Sequence, residues 1–130
     1  MPEFRGRSVY FVAPGTPIPQ GSKRIGVHRR TGRALVLDDP RALAAWRTRI
    51  GTYALQARVK EGIRAPFAGP VAVEATFCIT RPRSVRRKTP FVRPDIDKLL
   101  RGLLDGITRV LVKDDGQVVR VTADKWYVEH

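Results

Sequence analysis

The sequence predicts a small single-domain α+β fold, a mixed β-sheet of about four to five strands packed with two main helices. Three observations predict it. A length of 130 residues suits one compact domain and leaves little room for two. Apolar residues make up 42%, enough for one core, which argues against wholesale disorder. Two segments carry apolar residues at three- and four-residue spacing, while others alternate or are rich in β-branched residues.

Taken in order, residues 8–13 are β-rich and read as a first strand. The prolines Pro14, Pro17 and Pro19 then take the chain out of the sheet. Residues 20–33 form a Gly-rich basic loop with a turn at 30–33, and residues 34–37 a short strand. Asp39 suits a helix N-cap and Pro40 the first helical position. Leu43, Trp46, Ile50, Tyr53, Ala54 and Ala57 then mark one face of a helix over about 41–60. After a loop over 62–70, residues 71–79 alternate, with Val71, Val73, Ala75, Phe77 and Ile79 on the inner face of a half-buried strand. Residues 81–94 form a basic, proline-containing mobile loop. A second helix over about 95–109 buries Leu99, Leu100, Leu103, Leu104 and Ile107. Residues 110–113 and 117–128 are β-rich, separated by Asp114, Asp115 and Gly116, and Asp-Gly between such runs is a hairpin signal.

Lys plus Arg is 25 and Asp plus Glu is 12, a formal net charge of +13. Such a field favours a polyanionic partner, nucleic acid first and an anionic membrane surface second. No apolar run reaches the ~20 residues that span a bilayer. The N-terminus lacks a signal-peptide apolar region, so the expected location is cytoplasmic. The single cysteine, Cys78, excludes an internal disulfide framework and a cysteine-rich zinc site, and reads as a buried or semi-buried thiol. Trp46 falls on the apolar helical stripe, and of Trp126 and Tyr127 one is expected to face outward. His28 and His130 are isolated and make neither a general base nor a ligand.

The charge is unevenly spread. Residues 23–33 hold five bases and no acid, Lys23 and Arg24 among them. Residues 81–93 hold Arg81, Arg83, Arg86, Arg87, Lys88 and Arg93, again with no acid. Then the sign changes: Asp95, Asp97, Asp105, Asp114 and Asp115 follow within 21 residues. Clustered carboxylates repel one another and repel phosphate. A divalent cation resolves that conflict by binding carboxylate and phosphate oxygens together. Each acid also has a plain alternative. Asp95 and Asp97 suit a helix cap and first turn, Asp115 a hairpin turn, and Asp97, Arg101 and Asp105 a solvated stripe. Spacing alone favours these, and capping does not preclude ligation.

The ordered series Pro94-Asp95-Ile96-Asp97-Lys98-Leu99, Arg101, Leu104-Asp105-Gly106 and Asp114-Asp115-Gly116-Gln117-Val118 closely resembles the RusA family of Holliday junction resolvases of bacteria and their phages. The resemblance is strongest over about 93–117 and weaker at 15–24. It implies a RusA-like α+β fold, a homodimer and Mg²⁺-dependent resolution of four-way DNA junctions by paired symmetric nicks, in recombination and repair. Mn²⁺ is the expected substitute metal, and no organic cofactor is implied. By position, Asp95, Asp97 and Asp115 match the metal carboxylates, with Asp114 beside them. Arg101 stands where the best-known member has Lys; always protonated, it would orient or stabilise phosphate. The basic residues Lys23, Arg24, Arg81, Arg83, Arg86, Arg87, Lys88 and Arg93 are expected to grip DNA phosphates. The competing expectations are a non-catalytic basic nucleic-acid-binding protein, and a related Mg²⁺ nuclease preferring flaps or forks.

Overall fold

The computed structural model describes residues 6–21, 25–27, 34–36 and 39–129. The expectations for Lys23, Arg24, His28, His130 and the turn at 30–33 lie outside the described residues. The described elements are β1 (Ile25–Val27), β2 (Ala34–Val36), α1 (Pro40–Lys60), β3 (Val71–Thr80), α2 (Ile96–Ile107), a 3₁₀ turn (Asp115–Gln117) and β4 (Val118–Val128).

The architecture is α+β with two helices, as expected, but the sheet is smaller. β1 and β2 form an antiparallel pair, inside a segment expected to be mostly loop. β3 and β4 form a separate parallel pair, with α2 in the connection between them. A parallel pair needs such a crossover. Residues 8–13 join neither sheet. Their side chains still alternate: Val9, Phe11 and Ala13 pack on the core while Tyr10 and Val12 face solvent. Alternation therefore reports a buried face here, without a ladder partner among the described residues. Residues 110–113 are a compact turn touched only by isolated bridges, not a strand.

α1 forms as its caps dictate. The Asp39 side chain accepts from the Arg41 and Ala42 amides at 2.9 and 3.3 Å, and Pro40 opens the helix. Trp46, Ile50 and Ala54 are buried, whereas Tyr53, placed by spacing on the same stripe, is exposed. α2 buries Leu99 and Ile107, with Leu100, Leu103 and Leu104 half-buried. The helices meet through small residues. A Cβ on Gly106 would lie 2.8 Å from Ile50 Cγ2, and one on Gly51 3.2 Å from the Gly106 carbonyl oxygen. The core gathers Trp46, Ile50, Ala54, Ile107, Leu111 and Val112. Ile50 and Val112 are fully buried, and each such side chain stabilises the fold by roughly 1.5–3 kcal/mol.

β3 alternates as read, with Phe77 buried and its neighbours two apart half-buried. Cys78 falls on the other face and is exposed, contrary to the buried thiol expected. Register pairs Phe77 with Lys125 and Ile79 with Tyr127 on the inner face, and Thr76 with Asp124 and Cys78 with Trp126 on the outer. Trp126 is the outward aromatic and Tyr127 the half-buried one.

Candidate active site

Two ends of β4 organise the acidic residues. At its start, Gln117 makes four hydrogen bonds. Its Oε1 accepts from the Lys113 and Asp114 amides at 2.8 and 3.1 Å. Its Nε2 donates to the Phe67 and Gly69 carbonyls at 2.7 and 2.9 Å. This one side chain ties the turn bearing Asp114 and Asp115 to the 66–70 loop. The turn is 3₁₀, and the strand it opens pairs in parallel with β3 and has no antiparallel partner among the described residues, so the hairpin reading of Asp115-Gly116 is overturned. Gly116 serves close approach instead: a Cβ there would sit 2.9 Å from Asp114 Oδ2.

Toward the other end of β4, alternation turns Lys125 and Tyr127 inward against the 81–94 loop. Lys125 Nζ donates to the carbonyls of Val92 (2.8 Å) and Pro94 (3.0 Å), the latter immediately before Asp95. Arg87 Nε donates to the Tyr127 hydroxyl at 3.1 Å, and its guanidinium lies 5.8 Å from the Phe91 ring centroid. Arg81 pairs with Glu129. Two of the six basic residues of the loop are therefore engaged in holding it. Arg83, Arg86, Lys88 and Arg93 are exposed, with no hydrogen bond or ion pair among the described residues.

Asp95 stands at the N-cap position of α2, yet its side chain makes no capping bond. The plain reading of that carboxylate is thus not realised. Asp97 lies in the first helical turn, 73% exposed, with Lys98 Nζ at 3.8 Å. Asp115 is exposed, and its side chain makes no hydrogen bond or ion pair among the described residues. Arg101 is likewise exposed and unengaged among them. The Asp97–Arg101–Asp105 stripe does not form, because Asp105 turns instead to Gln20 Nε2 and to Arg47 at 3.6 Å.

The acids form two groups. Asp114, Asp115 and Asp105 line one cleft of about 600 Å³ with Arg47 and Arg109. Asp95 and Asp97 lie at the opposite end of α2; the eight residues from Asp97 to Asp105 span about 12 Å of helix. Among the described residues no three of His, Cys, Asp and Glu lie close enough to hold one metal ion. The donor chemistry nevertheless suits a hard cation. The candidates are all carboxylates, and Mg²⁺ is commonly bound by one or two of them, with waters and substrate phosphates completing the shell.

The Asp124 carboxyl is held below the usual carboxylate range, first by a hydrogen bond from the Trp126 side chain and second by one from Thr76. It sits on the outer face of β4 and belongs to neither acidic group.

Residues 14–130 match the family described as Endodeoxyribonuclease RusA. The chain belongs to the RusA family. Membership makes it an endodeoxyribonuclease of the Holliday junction resolvase class, a DNA-binding hydrolase, and sets aside the non-catalytic reading. The chain is also similar to the uncharacterized protein YqaN of Bacillus subtilis (strain 168), 26% identical over 133 residues that cover 93% of this chain and 89% of the relative. No solved structure matches it. Among the described residues no helix is long and apolar enough to cross a membrane.

Sequence reasoning missed three residues that shape the site: Gln117, Lys125 and Arg109. Gln117 was visible only as part of the D-D-x-Q-V series. Inward alternation along 117–128 was the available signal for Lys125. No local signal marked Arg109, whose backbone conformation is one that favours glycine.

Proposed function

We propose that the protein resolves four-way DNA junctions by Mg²⁺-dependent, paired symmetric nicking in recombination and repair, with Asp95, Asp97 and Asp115 as the cation-binding carboxylates, Asp95 and Asp97 as one pair and Asp115, with Asp114 beside it, as a second. The observation that carries the reading is the uncapped Asp95 carboxylate at the head of α2, directly after a loop with four unengaged cations. That junction juxtaposes phosphate-binding charge with free carboxylate oxygens. The chemistry a bound Mg²⁺ supplies is a polarised phosphate and an attacking water of lowered pKa. Mn²⁺ is the substitute by the same oxygen preference.

The chain's own residues do the rest. Arg83, Arg86, Lys88 and Arg93 hold flanking phosphates and fix position without reading sequence. Arg101, one turn beyond Asp97, directs positive charge toward the phosphate under attack. Lys125 fixes the carbonyl before Asp95 and so holds the first carboxylate in place. A homodimer places two such sites on opposing strands of a four-way junction. The outer edges of the two-stranded β3–β4 sheet, unpaired among the described residues, and the exposed Val119, Trp126 and Val128 support a surface for the second copy. The reaction belongs in the cytoplasm, where recombining DNA is found.

The test is an Asp97→Asn protein. It should bind a synthetic junction as the native chain does and fail to cut it in Mg²⁺. Native-like cutting by that variant removes Asp97 from the cation site. Preferential cutting of flaps or forks by the native chain would move the substrate assignment and leave the site intact.

A further inference from the structure

We infer that Arg109 is a phosphate-binding residue, its guanidinium holding a DNA backbone phosphodiester in the cleft lined by Asp114 and Asp115. The inference rests on the DNA reading above and adds a cation outside both basic segments.

The first observation is the backbone. Arg109 has φ 74°, the one non-glycine residue at positive φ among the described residues. An L-residue there crowds its Cβ against the carbonyl, which glycine would avoid. A side chain is retained where local preference favours having none.

The second is that the turn does not use that side chain. Thr108 Oγ1 donates to the Leu104 carbonyl at 2.7 Å. The Arg109 amide donates to the Val112 carbonyl at 2.6 Å. Arg58 donates from α1 to the Val110 carbonyl at 2.7 Å. These bonds over-determine the turn and hold the strained residue in place, the arrangement expected where strain serves a site.

The third is placement. The cleft holds two guanidiniums, Arg47 and Arg109. Arg47 is matched by Asp105 at 3.6 Å and Gln20 at 3.2 Å. Arg109 is exposed and makes no side-chain hydrogen bond or ion pair among the described residues, although it shares the cleft with three aspartates, Asp105, Asp114 and Asp115. A free planar guanidinium fork matches a phosphodiester, whose non-bridging oxygens accept its paired N–H groups.

The test is equilibrium binding of a synthetic four-way junction in EDTA across a salt series, with melting temperatures measured in parallel. Native protein is compared with Arg109→Gly, Arg109→Gln and Arg109→Lys. The slope of log affinity against log salt should fall in magnitude by about one for the Gly and Gln variants and stay native for Lys. Affinity should drop about tenfold in the first two, the scale of one charge-assisted contact. The Gly variant should melt at or above the native temperature. A native slope in Arg109→Gln, or a Gly variant that melts several degrees lower, overturns the inference and leaves the DNA reading standing. A native protein with no salt-dependent junction binding overturns the DNA reading, and this inference with it.

Discussion

Gln117→Ala removes the side chain that binds the Asp114–Asp115 turn to the rest of the chain. Four hydrogen bonds are lost, two accepted from the Lys113 and Asp114 amides and two donated to the Phe67 and Gly69 carbonyls. At about 0.5–1.5 kcal/mol net each, their sum would reach several kcal/mol. Only the bond to Phe67 is partly buried, and water replaces the other three. The expected loss is therefore about 2 kcal/mol, dominated by that one bond. For a domain of this size about 4 °C accompanies each kcal/mol, so melting should fall by about 8 °C. Cutting should fall further than stability, because the turn that loses its anchor carries Asp115. Circular dichroism melting and junction cleavage below the transition separate the two effects. A melting temperature within about 2 °C of native, with unchanged cutting, would refute the assignment of Gln117 as the anchor.

Gly106→Ala places a methyl 2.8 Å from Ile50 Cγ2 and 3.2 Å from the Arg47 carbonyl oxygen, so the helices must separate. A loss of about 1–3 kcal/mol is expected, measured by urea denaturation. Lys125→Met releases the Val92 and Pro94 carbonyls before Asp95; cutting should fall and the Mg²⁺ concentration for half-maximal rate should rise, while junction binding stays native and Lys125→Arg recovers part of the rate. Equal Mg²⁺ dependence in Lys125→Met would count against its positioning role. Asp124 has a depressed pKa from the Trp126 and Thr76 hydrogen bonds, so its contribution is present above the unfolded value and lost as pH falls through the lower folded one. The Trp126 indole N–H resonance should titrate with a midpoint below about 3.9, the ordinary aspartate value; a midpoint at or above that would contradict the assignment.

What the sequence made legible follows from what its signals measure. Asp39 and Pro40 mark the start of α1 because capping is decided within a few residues. Trp46, Ile50 and Ala54 follow because helical period decides burial. Tyr53 lies at the edge of the stripe, 37% exposed, because the described residues cover it only in part. The alternation of residues 8–13 correctly reports an inner face at Val9, Phe11 and Ala13, but pairing depends on a distant partner that a local pattern does not contain. Asp115-Gly116 signals a turn, and Gln117, through contacts with residues 48–50 positions away, decides which kind. The acids were legible as a set, since charge sign and order are properties of the chain. Their separation along α2 into the Asp95–Asp97 and Asp114–Asp115 groups is a tertiary fact. Cys78 was legible in hindsight: its even position in 71–79 places it opposite the apolar face.

On the proposed function, the acids and the neighbouring cations cut branched DNA through a divalent cation. The most direct measurement is cleavage of a synthetic four-way junction by the native protein, with a linear duplex of the same sequence alongside, in Mg²⁺ and in EDTA. Paired nicks in opposing strands of the junction are expected in Mg²⁺, with none in EDTA and little or no cutting of the duplex. Undiminished nicking in EDTA, or equal cutting of duplex and junction, would contradict that function.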